Sequence, residues 1–581
     1  MPDRRKRQKK KIQRPVRATQ DYNNLRTLNR NDGGHEEIKM DFHTNGTVVQ
    51  SYKHDADLNT RLRLYFKHEG SKVAFLFVYY AISLLIAVSR YYKYAAEPKY
   101  AITRIVFKKA LPFARMAAGL LLFNCAIILF PVCRTLISKL RGSILNTVVP
   151  FDKNIVFHKF VGAHIMLYTI IHISAHTFDF RYLSELSSLG LGFAPMGTPE
   201  SLWLGLLPAY TGHIALLALF LMTTSAMRKV RVSNFEIFYY THHLYIIFLI
   251  SMILHGAGCV VESLAGSECV AFTEFWKWSI LSMLCYTCER VVFRALLRTS
   301  RPVDIQKVII HPSNVIEIQW IPRYAPQLLD AKPGQYIFLN CPAVGGRQYH
   351  PFTLTSCPQE GFMSIHFREA GDFTKRLSKL LIDTAGSMND GFSIKSMPKI
   401  YVDGPFGAAA EDAFKYSACI FVGAGIGVTP FGSLLKSIFY QAEMGTCPVK
   451  KVKFFWICRD TTAFEWFNEL LHTLEQQDST IQLEYHIYLS KVRPSMVQDV
   501  IYNDVGRRND PITGLQSKTN YGRPNWDSIF ANIASENPTE RIGLFACGPK
   551  PLTNILKKNC MLYTHYQNSK VQFFFNKENF G

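Results

Sequence analysis

The sequence predicts a multidomain membrane protein: a six-helix transmembrane bundle, then an antiparallel β-barrel, then a Rossmann-like α/β domain. Three observations lead to this fold class. Six long apolar segments fill the first half of the chain, short alternating strands with turns follow from about Ser300, and strands alternate with helices from Ser417 onward. A length of 581 residues exceeds what one hydrophobic core organises, so several domains are expected.

Composition and charge limit the classes of partner. Nearly half of the residues are apolar (48%), yet the mean hydropathy is close to zero, as expected when a membrane part is joined to a soluble part. The formal net charge is +22, and the basic residues cluster in the run RRKRQKKK (Arg4 to Lys11) and beside apolar segments. This distribution favours membrane lipid and anionic cofactors as partners, and it argues against nucleic acid.

The apolar segments set the domain limits and the topology. They lie at 73–92, 106–133, 155–178, 202–224, 236–257 and 275–293. We therefore expect a basic, largely disordered tail (1–71), a multi-pass transmembrane domain (72–298), a barrel (299–407) and an α/β domain (408–581). Six spans put both termini on one side of the membrane. The basic loops 134–153 and 228–231 make that side cytosolic by the positive-inside rule, although loop 90–109 is basic as well.

The third and fifth apolar segments each carry two histidines at a similar interval. His158 and His172 are fourteen positions apart, and His242 and His255 are thirteen apart. At ~1.5 Å rise per residue each pair spans roughly 20 Å, which gives two levels inside one bilayer. Imidazoles facing each other at two levels suit two stacked haems. The thirteen-residue interval requires a local tightening of the helix or a longer reach, and spacing alone does not favour His242 over His243.

Other polar residues stand near these levels. Arg115 begins the second segment at the outer face and Arg134 ends it at the inner face, where each could hold haem propionates or simply snorkel to the interface. His176 lies one turn beyond His172 on the same helical face, so it is a candidate for the site where an acceptor binds. Cys259 and Cys269 share the last outer loop, where a disulfide is possible.

The barrel contains a candidate flavin-binding strand. HPFTLTS (His350 to Ser356) offers a ring, a proline and hydroxyls along an extended strand, although the motif is weak by itself. Arg368 could meet the flavin pyrophosphate together with the backbone amides between Gly371 and Thr374.

The α/β domain contains a candidate dinucleotide site. CIFVGAGIGVTPF (Cys419 to Phe431) predicts a strand, a glycine turn and a helix that starts at Thr429 and Pro430. Glycines let the backbone approach a pyrophosphate, which the helix N-terminus then attracts. The glycines concerned are Gly423, Gly425 and Gly427.

Further residues complete this site. Arg459 follows the next strand, from which a guanidinium could bind a 2′-phosphate and so select NADPH over NADH. GLFACGP repeats the strand-to-helix turn with Gly548 and Pro549, and it places Cys547 near the nicotinamide unless that cysteine is only a small core residue. Near the C-terminus, Phe580 could cover the flavin ring.

Taken together, these motifs resemble the catalytic subunit of the superoxide-generating NADPH oxidases, of the phagocyte type without EF-hands. The motifs that carry the resemblance are the paired histidines, HPFTLTS, DGPFG, GAGIGVTPF, CRD, ITGLQSKTNYGRPNW, CGP and NKENF, which span roughly residues 72 to 580. The resemblance implies an FAD-binding barrel, an NADPH-binding domain of the ferredoxin-reductase type, and FAD, two haem b groups and NADPH as cofactors.

The resemblance also implies roles for single residues. In the membrane domain it gives His158 and His242 to the inner haem, His172 and His255 to the outer haem, and Arg115 and His176 to the oxygen site. It gives His350, Pro351, Phe352, Thr353 and Arg368 to FAD, and Gly425, Gly427, Thr429, Pro430, Arg459, Arg523 and Cys547 to NADPH. The sequence departs from the family in three features: the basic N-terminal extension, a short last outer loop, and Gly581 after the usual terminal phenylalanine. The short loop bears on which product is released, and it leads us to favour superoxide over hydrogen peroxide.

The expected function is electron transfer from cytosolic NADPH through FAD and two haems to dioxygen on the opposite face. The resemblance implies cytosolic activators, including a Rac-type GTPase, and a small membrane subunit as partners. The plasma membrane and an endomembrane both stay open as locations. One alternative is a ferric-chelate reductase that uses the same cofactors, and another is a histidine-lined proton or metal channel.

Overall fold

The computed structural model describes eleven stretches of the chain. They are residues 58–188, 205–256, 274–298, 302–311, 314–322, 329–386, 397–459, 461, 465–491, 508–565 and 569–578. The expectations for Cys259, Cys269, Phe580 and most of the N-terminal tail lie outside these residues. Helix α1 already begins at Leu58, inside the stretch 1–71 that the sequence analysis assigns to the tail.

The first half of the described chain is helical. The helices are α1 Leu58–Ala96, α2 Ala101–Phe107, α3 Ala110–Ile127, α4 Arg134–Arg141, α5 Asn154–Ser188, α6 Leu207–Ser225, α7 Arg228–Ser233, α8 Phe235–His242, α9 Tyr245–His255 and α10 Glu274–Thr287. Among the described residues, five helical stretches are long and apolar enough to cross a membrane. These stretches are Tyr65–Ala96, Ala110–Val132, Phe151–Tyr182, Leu207–Ser225 and Phe235–His255.

The sixth predicted span, 275–293, is not among these five. Its α-helix α10 has 14 residues and continues as an 11-residue π-helix, Cys288–Arg298. At ~1.5 Å per residue, α10 alone covers about 21 Å, so α10 and the π-helix that continues it are both needed to cross the ~30 Å hydrocarbon core of a bilayer.

Apolar side chains on the outside of the bundle agree with a membrane location. Phe77 is 72% exposed, Leu85 is 70% exposed and Leu217 is 60% exposed. A contiguous apolar surface is unusual for a soluble protein but normal for one that faces lipid. Some polar groups inside the bundle are paired, as in the 2.8 Å hydrogen bond from Tyr79 Oη to Asn124 Oδ1.

Six antiparallel strands form the predicted barrel. They are β1 Asp304–His311, β2 Val315–Ile321, β3 Tyr336–Asn340, β4 His350–Thr353, β5 Met363–Arg368 and β6 Tyr401–Phe406. One sheet has the order β1-β2-β5 and the other β4-β3-β6. Single bridges Val303–Ile400 and Leu354–Ile365 join the two sheets, whose inner faces share a core around Trp320, Ile337 and Phe352. Two helices accompany these strands, α11 Pro342–Gly345 and α12 Asp372–Gly386.

The C-terminal domain is the expected parallel, doubly wound sheet. Its strands are β7 Ala418–Ala424, β8 Lys451–Cys458, β9 Gln482–Leu489, β10 Asn520–Tyr521, β11 Arg541–Cys547 and β12 Gln572–Glu578, in the order β10-β9-β8-β7-β11-β12. The helices are α13 Thr429–Glu443, α14 Glu465–Gln476, α15 Trp526–Glu536 and α16 Lys550–Tyr563. They cover both faces, with one core around Phe431 and Leu471 and the other around Phe530 and Leu556.

Ion pairs join the soluble domains to one end of the helical bundle. Buried Arg141 of α4 lies 2.9 Å from Asp152 and 3.1 Å from Asp412. At the start of α1, Glu69 lies 2.7 Å from Lys557 of α16. The barrel and the α/β domain therefore contact the same end of the bundle as the beginning of the first helix.

Candidate functional site

Two pairs of imidazoles face each other inside the bundle. The ring centroids of His158 and His242 are 6.2 Å apart, and those of His172 and His255 are 6.1 Å apart. Each pair joins α5 to the α8–α9 stretch. The structure therefore brings together all four predicted ligands, at two levels along the helices.

This spacing fits a metal porphyrin between the rings of each pair. Two imidazole nitrogens bound to one iron at about 2 Å each would place the ring centroids roughly 6 Å apart, close to the spacing of both pairs. The residues present therefore fit one bis-histidine haem at each level.

The second ring nitrogen of each histidine points at a neighbouring helix. Nδ1 of His158 donates to the carbonyl of Ile128 (2.9 Å), and Nδ1 of His172 donates to that of Ala114 (3.0 Å). Because a carbonyl only accepts, each of these Nδ1 atoms carries the proton, and Nε2 keeps its lone pair for a metal.

The facing histidines, His255 and His242, also turn Nδ1 toward a neighbouring helix, but without a short hydrogen bond to a backbone carbonyl. Nδ1 of His255 faces the carbonyl of Pro208, and Thr211 Oγ1 is 3.4 Å away. Nδ1 of His242 is buried and faces the carbonyl of Met222 without a hydrogen bond of normal geometry.

A tight turn explains the thirteen-residue interval. Between α8 and α9 the amides of His243 and Leu244 bond three residues back, to Tyr240 and Thr241, at 3.1 Å each. Three residues per turn replace the usual 3.6 here, so the chain completes its rotation with fewer residues. This is the local tightening that the sequence analysis expects.

The same turn gives the adjacent His242 and His243 different surroundings. His242 faces His158, whereas His243 is exposed and its Nδ1 donates to the carbonyl of Tyr239 at 2.6 Å.

The outer level holds a cluster of charged and polar groups. His176 packs edge-on against His172, with ring centroids 4.5 Å apart, and its Nδ1 lies 2.9 Å from Oδ2 of Asp179. Asp179 is only 3% exposed. Arg115 lies over the ring of Tyr94 at 5.3 Å, and its Nε is buried without a hydrogen-bond partner among the described residues. The structure therefore places a cation and a third imidazole, close to a buried carboxylate, beside the outer histidine pair.

Arg134 lies at the inner end of the bundle, against the barrel. Its guanidinium stacks on the ring of Phe338 at 3.7 Å, in a pocket also lined by Arg290, Arg294 and Asp403. Burial lowers the pKa of Arg134 to about 10, so the side chain keeps its charge at neutral pH. Three guanidiniums and two carboxylates, those of Glu289 and Asp403, line this pocket, so its lining keeps an excess of positive charge that suits an anionic group.

The candidate flavin strand β4 presents buried polar atoms without partners. His350 Nε2 and Thr353 Oγ1 are both buried and have no hydrogen-bond partner among the described residues. Such atoms are costly unless a ligand satisfies them. His350 stacks on Phe373 at 3.8 Å, and burial lowers the pKa of its imidazole to about 4, which keeps the ring neutral. The neighbouring Pro351 and Phe352 pair with β3, and the whole strand fits a flavin.

The predicted pyrophosphate end of the flavin site is arranged differently from the expectation. Arg368 ends β5 and is exposed. The amides of Ala370 and Gly371 donate to Thr374 Oγ1, at 2.9 and 3.0 Å, so this hydroxyl caps helix α12. The roles of Arg368 and Thr374 toward FAD stay predictions.

The glycine turn follows β7 and leads into α13 at Thr429 and Pro430, as expected. Gly425 has φ +56°, and Trp456 Nε1 donates to its carbonyl at 3.1 Å. A Cβ on Gly427 would lie 2.8 Å from the carbonyl oxygen of Cys547, and one on Gly423 would lie 3.1 Å from Val428 Cα. These glycines are therefore needed for close packing as well as for the turn.

The strand order places this turn at the topological switch point of the sheet. β8 extends the sheet on one side of β7 and β11 on the other, and Cys547 pairs with Gly423 at the carboxyl ends of their strands. Ligands of open α/β sheets bind in the crevice formed there. Gly548 packs closely on Ala424, and Pro549 leads into α16.

Cys547 itself is 2% exposed, and burial raises the pKa of its thiol well above the usual range. It therefore lies at the carboxyl end of β11 as a neutral thiol, and its position near the nicotinamide stays a prediction. Arg459 and Arg523 are both exposed, after β8 and before α15. No contact between them is described, and their roles stay predictions.

Sequence reasoning missed two site residues. Asp179 was not among the predicted site residues, although its position three residues after His176 puts both on one helical face. Phe373, which stacks on His350, gave no signal because it comes from a helix far from the flavin strand in sequence.

Family models match three parts of the chain. Residues 115–253 match the ferric reductase like transmembrane component, 300–410 an FAD-binding domain, and 416–561 the ferric reductase NAD binding domain. A flavohemoglobin structure from Malassezia yamatoensis covers 80% of this chain and 97% of its own at 15% identity, but its TM-score of 0.35 carries no weight.

Whole-length relatives are more specific. NADPH oxidase 1 of Mus musculus is 39% identical over 87% of this chain and 93% of its own, and NADPH oxidase 3 of Homo sapiens is 37% identical over 88% and 99%. A superoxide-generating NADPH oxidase heavy chain of Dictyostelium discoideum is 39% identical over 89% and 98%. The chain described here is an integral membrane protein that belongs to the NADPH oxidase family.

Proposed function

We propose that the chain moves electrons from NADPH across a membrane to dioxygen and releases superoxide. The observation that carries this proposal is the pair of facing imidazole couples, 6.2 and 6.1 Å apart, in a bundle joined to a flavin strand and a dinucleotide turn. Relatives at 37% to 39% identity named NADPH oxidases support the same activity.

The cofactors supply the electron chemistry: bound FAD takes two electrons from a hydride donor and releases them singly, and bis-histidine haem carries one electron. The chain supplies the binding sites. Gly425, Gly427 and the N-terminus of α13 hold the dinucleotide, β4 holds the flavin, and the two histidine pairs hold the haems.

At the outer level the chain's own groups act on oxygen. The outer histidine pair would hold a haem between its two imidazoles, so we place the oxygen site beside this pair. Arg115 then supplies a cation next to the developing negative charge, which a site of low polarity makes effective. Oδ2 of Asp179 lies 2.9 Å from Nδ1 of His176, and we propose that this charged contact orients the ring so that Nε2 is available to the acceptor.

At the inner level Arg134 holds an anion. Its buried guanidinium lies with Arg290 and Arg294 where the bundle meets the barrel. Propionates of the inner haem are the anionic groups that this position suits.

We place both termini in the cytosol. The beginning of α1 and the nucleotide domain are on one side of the membrane, because Glu69 of α1 pairs with Lys557 of α16. NADPH is a cytosolic reductant, and the basic loops are on that same side by the positive-inside rule. By family resemblance, cytosolic activators that include a Rac-type GTPase, together with a small membrane subunit, are the expected partners, in the plasma membrane or an endomembrane.

A reduced-minus-oxidised optical spectrum of the purified, FAD-supplemented chain tests the proposal. Haem bands that appear on addition of NADPH, together with superoxide formation in air, are the expected result. A chain that stays colourless after expression with abundant haem would refute it.

A second candidate function is a ferric-chelate reductase, because two of the three matched family models carry that description. The two functions differ only in the acceptor. Rates with dioxygen alone and with a ferric chelate alone, measured on the same preparation, separate them. Fast reduction of the chelate without superoxide would favour the reductase.

A further inference from the structure

Three polar side chains, one from each of β1, β2 and β5, converge on the outside of the barrel. Nε2 of His311 lies 3.2 Å from Oε2 of Glu317, and Nε2 of His366 lies 3.3 Å from the same oxygen. The two imidazole rings stack at 5.3 Å with an angle of 27° between them. One carboxylate oxygen and two ring nitrogens thus point at a common centre.

Strand register produces this convergence. Glu317 of β2 is directly opposite His366 of β5, and His311 ends β1 two residues beyond Ile309, the partner of Glu317. Because side chains alternate between the faces of a sheet, all three project from one face. The alternate residues of β2 and β5, such as Ile318 and Ile365, point into the barrel core.

A neighbouring hydroxyl group and a neighbouring amide group hold two of the three side chains, His366 and Glu317, in this orientation. Thr355 Oγ1 lies 2.7 Å from Nδ1 of His366, and Gln319 Nε2 donates to Oε1 of Glu317 at 2.7 Å. Nδ1 of His366 and Oε1 of Glu317 therefore each have a hydrogen-bond partner. Nε2 of His366 and Oε2 of Glu317 remain turned toward the common centre. Protein metal sites typically fix their ligands through such second contacts.

The distances suit a tetrahedral ion. Ligand atoms bound at about 2.0–2.1 Å to one tetrahedral ion are separated by roughly 3.3–3.5 Å, close to the two nitrogen-to-oxygen distances. All three ligand atoms lie within 4.8 Å of one another.

The charges around the centre also suit a cation. Two imidazoles and one carboxylate face it, so a divalent ion would meet one negative charge and two nitrogen donors. Lys436 is paired with Glu360 at 2.9 Å, which offsets its positive charge.

We propose that His311, Glu317 and His366 bind one divalent transition-metal ion of the zinc class, with a fourth position left for water. Two imidazoles and one carboxylate match the ligand preferences of zinc and disfavour calcium and magnesium, which take oxygen ligands. The side chain of His311 is 15% exposed and provides the entry path, whereas those of Glu317 and His366 are 10% and 9% exposed.

The site lies beside the contact between the barrel and the nucleotide domain. Thr355, which holds His366, has its carbonyl oxygen 4.0 Å from the position of a Cβ on Gly432 in α13. Ser433 of the same helix accepts a hydrogen bond from the amide of Gly334 at 2.9 Å. The bound ion would therefore stabilise the barrel face on which α13 packs, without any part in the electron path.

The test uses the full-length chain loaded with FAD and haem. Protein treated with chelator is dialysed against zinc buffered at micromolar free concentration, and bound zinc is counted by mass spectrometry. X-ray absorption at the zinc edge, which haem iron does not disturb, then reports the ligands. We expect one tightly held zinc with two imidazoles and a carboxylate, and a zinc-dependent rise in melting temperature.

Glu317→Gln is the test variant, since it keeps the shape of the side chain and removes its charge. Zinc affinity should fall at least tenfold while FAD and haem contents stay normal, which shows that the chain still folds. Glu484→Gln is the matched control, because Glu484 pairs with a single histidine, His486, at 2.8 Å. Equal zinc affinity in Glu317→Gln and wild type, or no tight zinc in the wild type, would overturn the proposal.

Discussion

Nδ1 of His172 lies 3.0 Å from the carbonyl oxygen of Ala114, the residue immediately before Arg115. One turn of α3 therefore both fixes the orientation of the outer imidazole and supplies the cation beside it. A shift of this turn would change haem ligation and the oxygen site together, so substitutions in the two places should not act independently.

His172→Leu should remove the outer haem and leave the inner one. Leucine fills a similar volume but offers no lone pair to iron, whereas the inner pair His158–His242 is on another turn of the bundle. Haem content relative to FAD, with the amplitude of the reduced-minus-oxidised spectrum, measures the loss. Superoxide formation should stop while FAD stays bound.

His164→Leu is the matched control for that experiment. His164 is on the same helix, but its Nδ1 bonds the carbonyl of Phe160 one turn back and its Nε2 lies 3.3 Å from Tyr80 Oη. Both haems should remain. If His172→Leu also kept both haems, the assignment of His172 as a ligand would be wrong.

His242→Leu and His243→Leu should behave in opposite ways. Only His242 faces His158, and His243 is exposed with its Nδ1 bonded to Tyr239. We expect loss of the inner haem in the first variant and two haems in the second, measured as the haem to FAD ratio. The reverse result would show that the ligand comes from the other side of the tight turn.

Asp179→Asn should slow oxygen reduction about tenfold and leave haem content unchanged. The buried carboxylate lies 2.9 Å from Nδ1 of His176, and a tenfold change in rate corresponds to about 1.4 kcal/mol from this charged contact. Superoxide rates at several oxygen concentrations, with the haem spectrum as a folding check, measure the effect. Glu185→Gln, an exposed acid paired with Arg181 on the same helix, should have normal rates. Unchanged rates in Asp179→Asn would exclude a role for this carboxylate.

Gly427→Ala should weaken NADPH binding and spare the haems. The new Cβ would meet the carbonyl oxygen of Cys547 at 2.8 Å, so the turn has to shift, at a cost of about 1–3 kcal/mol. The NADPH concentration for half-maximal flavin reduction should rise roughly tenfold, as that cost implies. Gly432→Ala tests the same change where the nearest atom is 3.5 Å away, and it should bind NADPH normally.

Cys547 should resist alkylation in the folded protein. Only the thiolate reacts, and burial both blocks the reagent and raises the thiol pKa, so raising the pH from 7 to about 9 should not speed the reaction. Exposed Cys288 is the internal comparison. Mass spectrometry of peptides after timed iodoacetamide treatment gives both rates, and equal rates would contradict the buried position.

Regular residue spacing and short consecutive motifs in the sequence predicted the local elements of the fold. The histidine intervals indicated two levels, and the structure places four imidazoles there. The glycine turn between β7 and α13 was predicted because strand, turn and helix are consecutive in the chain. Local patterns of this kind depend on few neighbouring residues.

Contacts between distant segments could not be predicted in the same way. Phe373 meets His350 only after the barrel closes, and His311 meets His366 only when three strands pair in register. The sixth span was expected from its apolar residues, but the helix changes to π geometry at Cys288, and no residue pattern had indicated that change.

Because of the tight turn after His242, the two helical stretches that carry the paired histidines are equivalent in position but not in sequence interval. The paired histidines lie at the same two levels on both stretches, but the interval is fourteen residues on one and thirteen on the other. A single inserted residue at His243 or Leu244 could restore ordinary winding without moving either imidazole off its level. Homology searches that demand identical intervals on both helices would therefore overlook proteins with the same architecture.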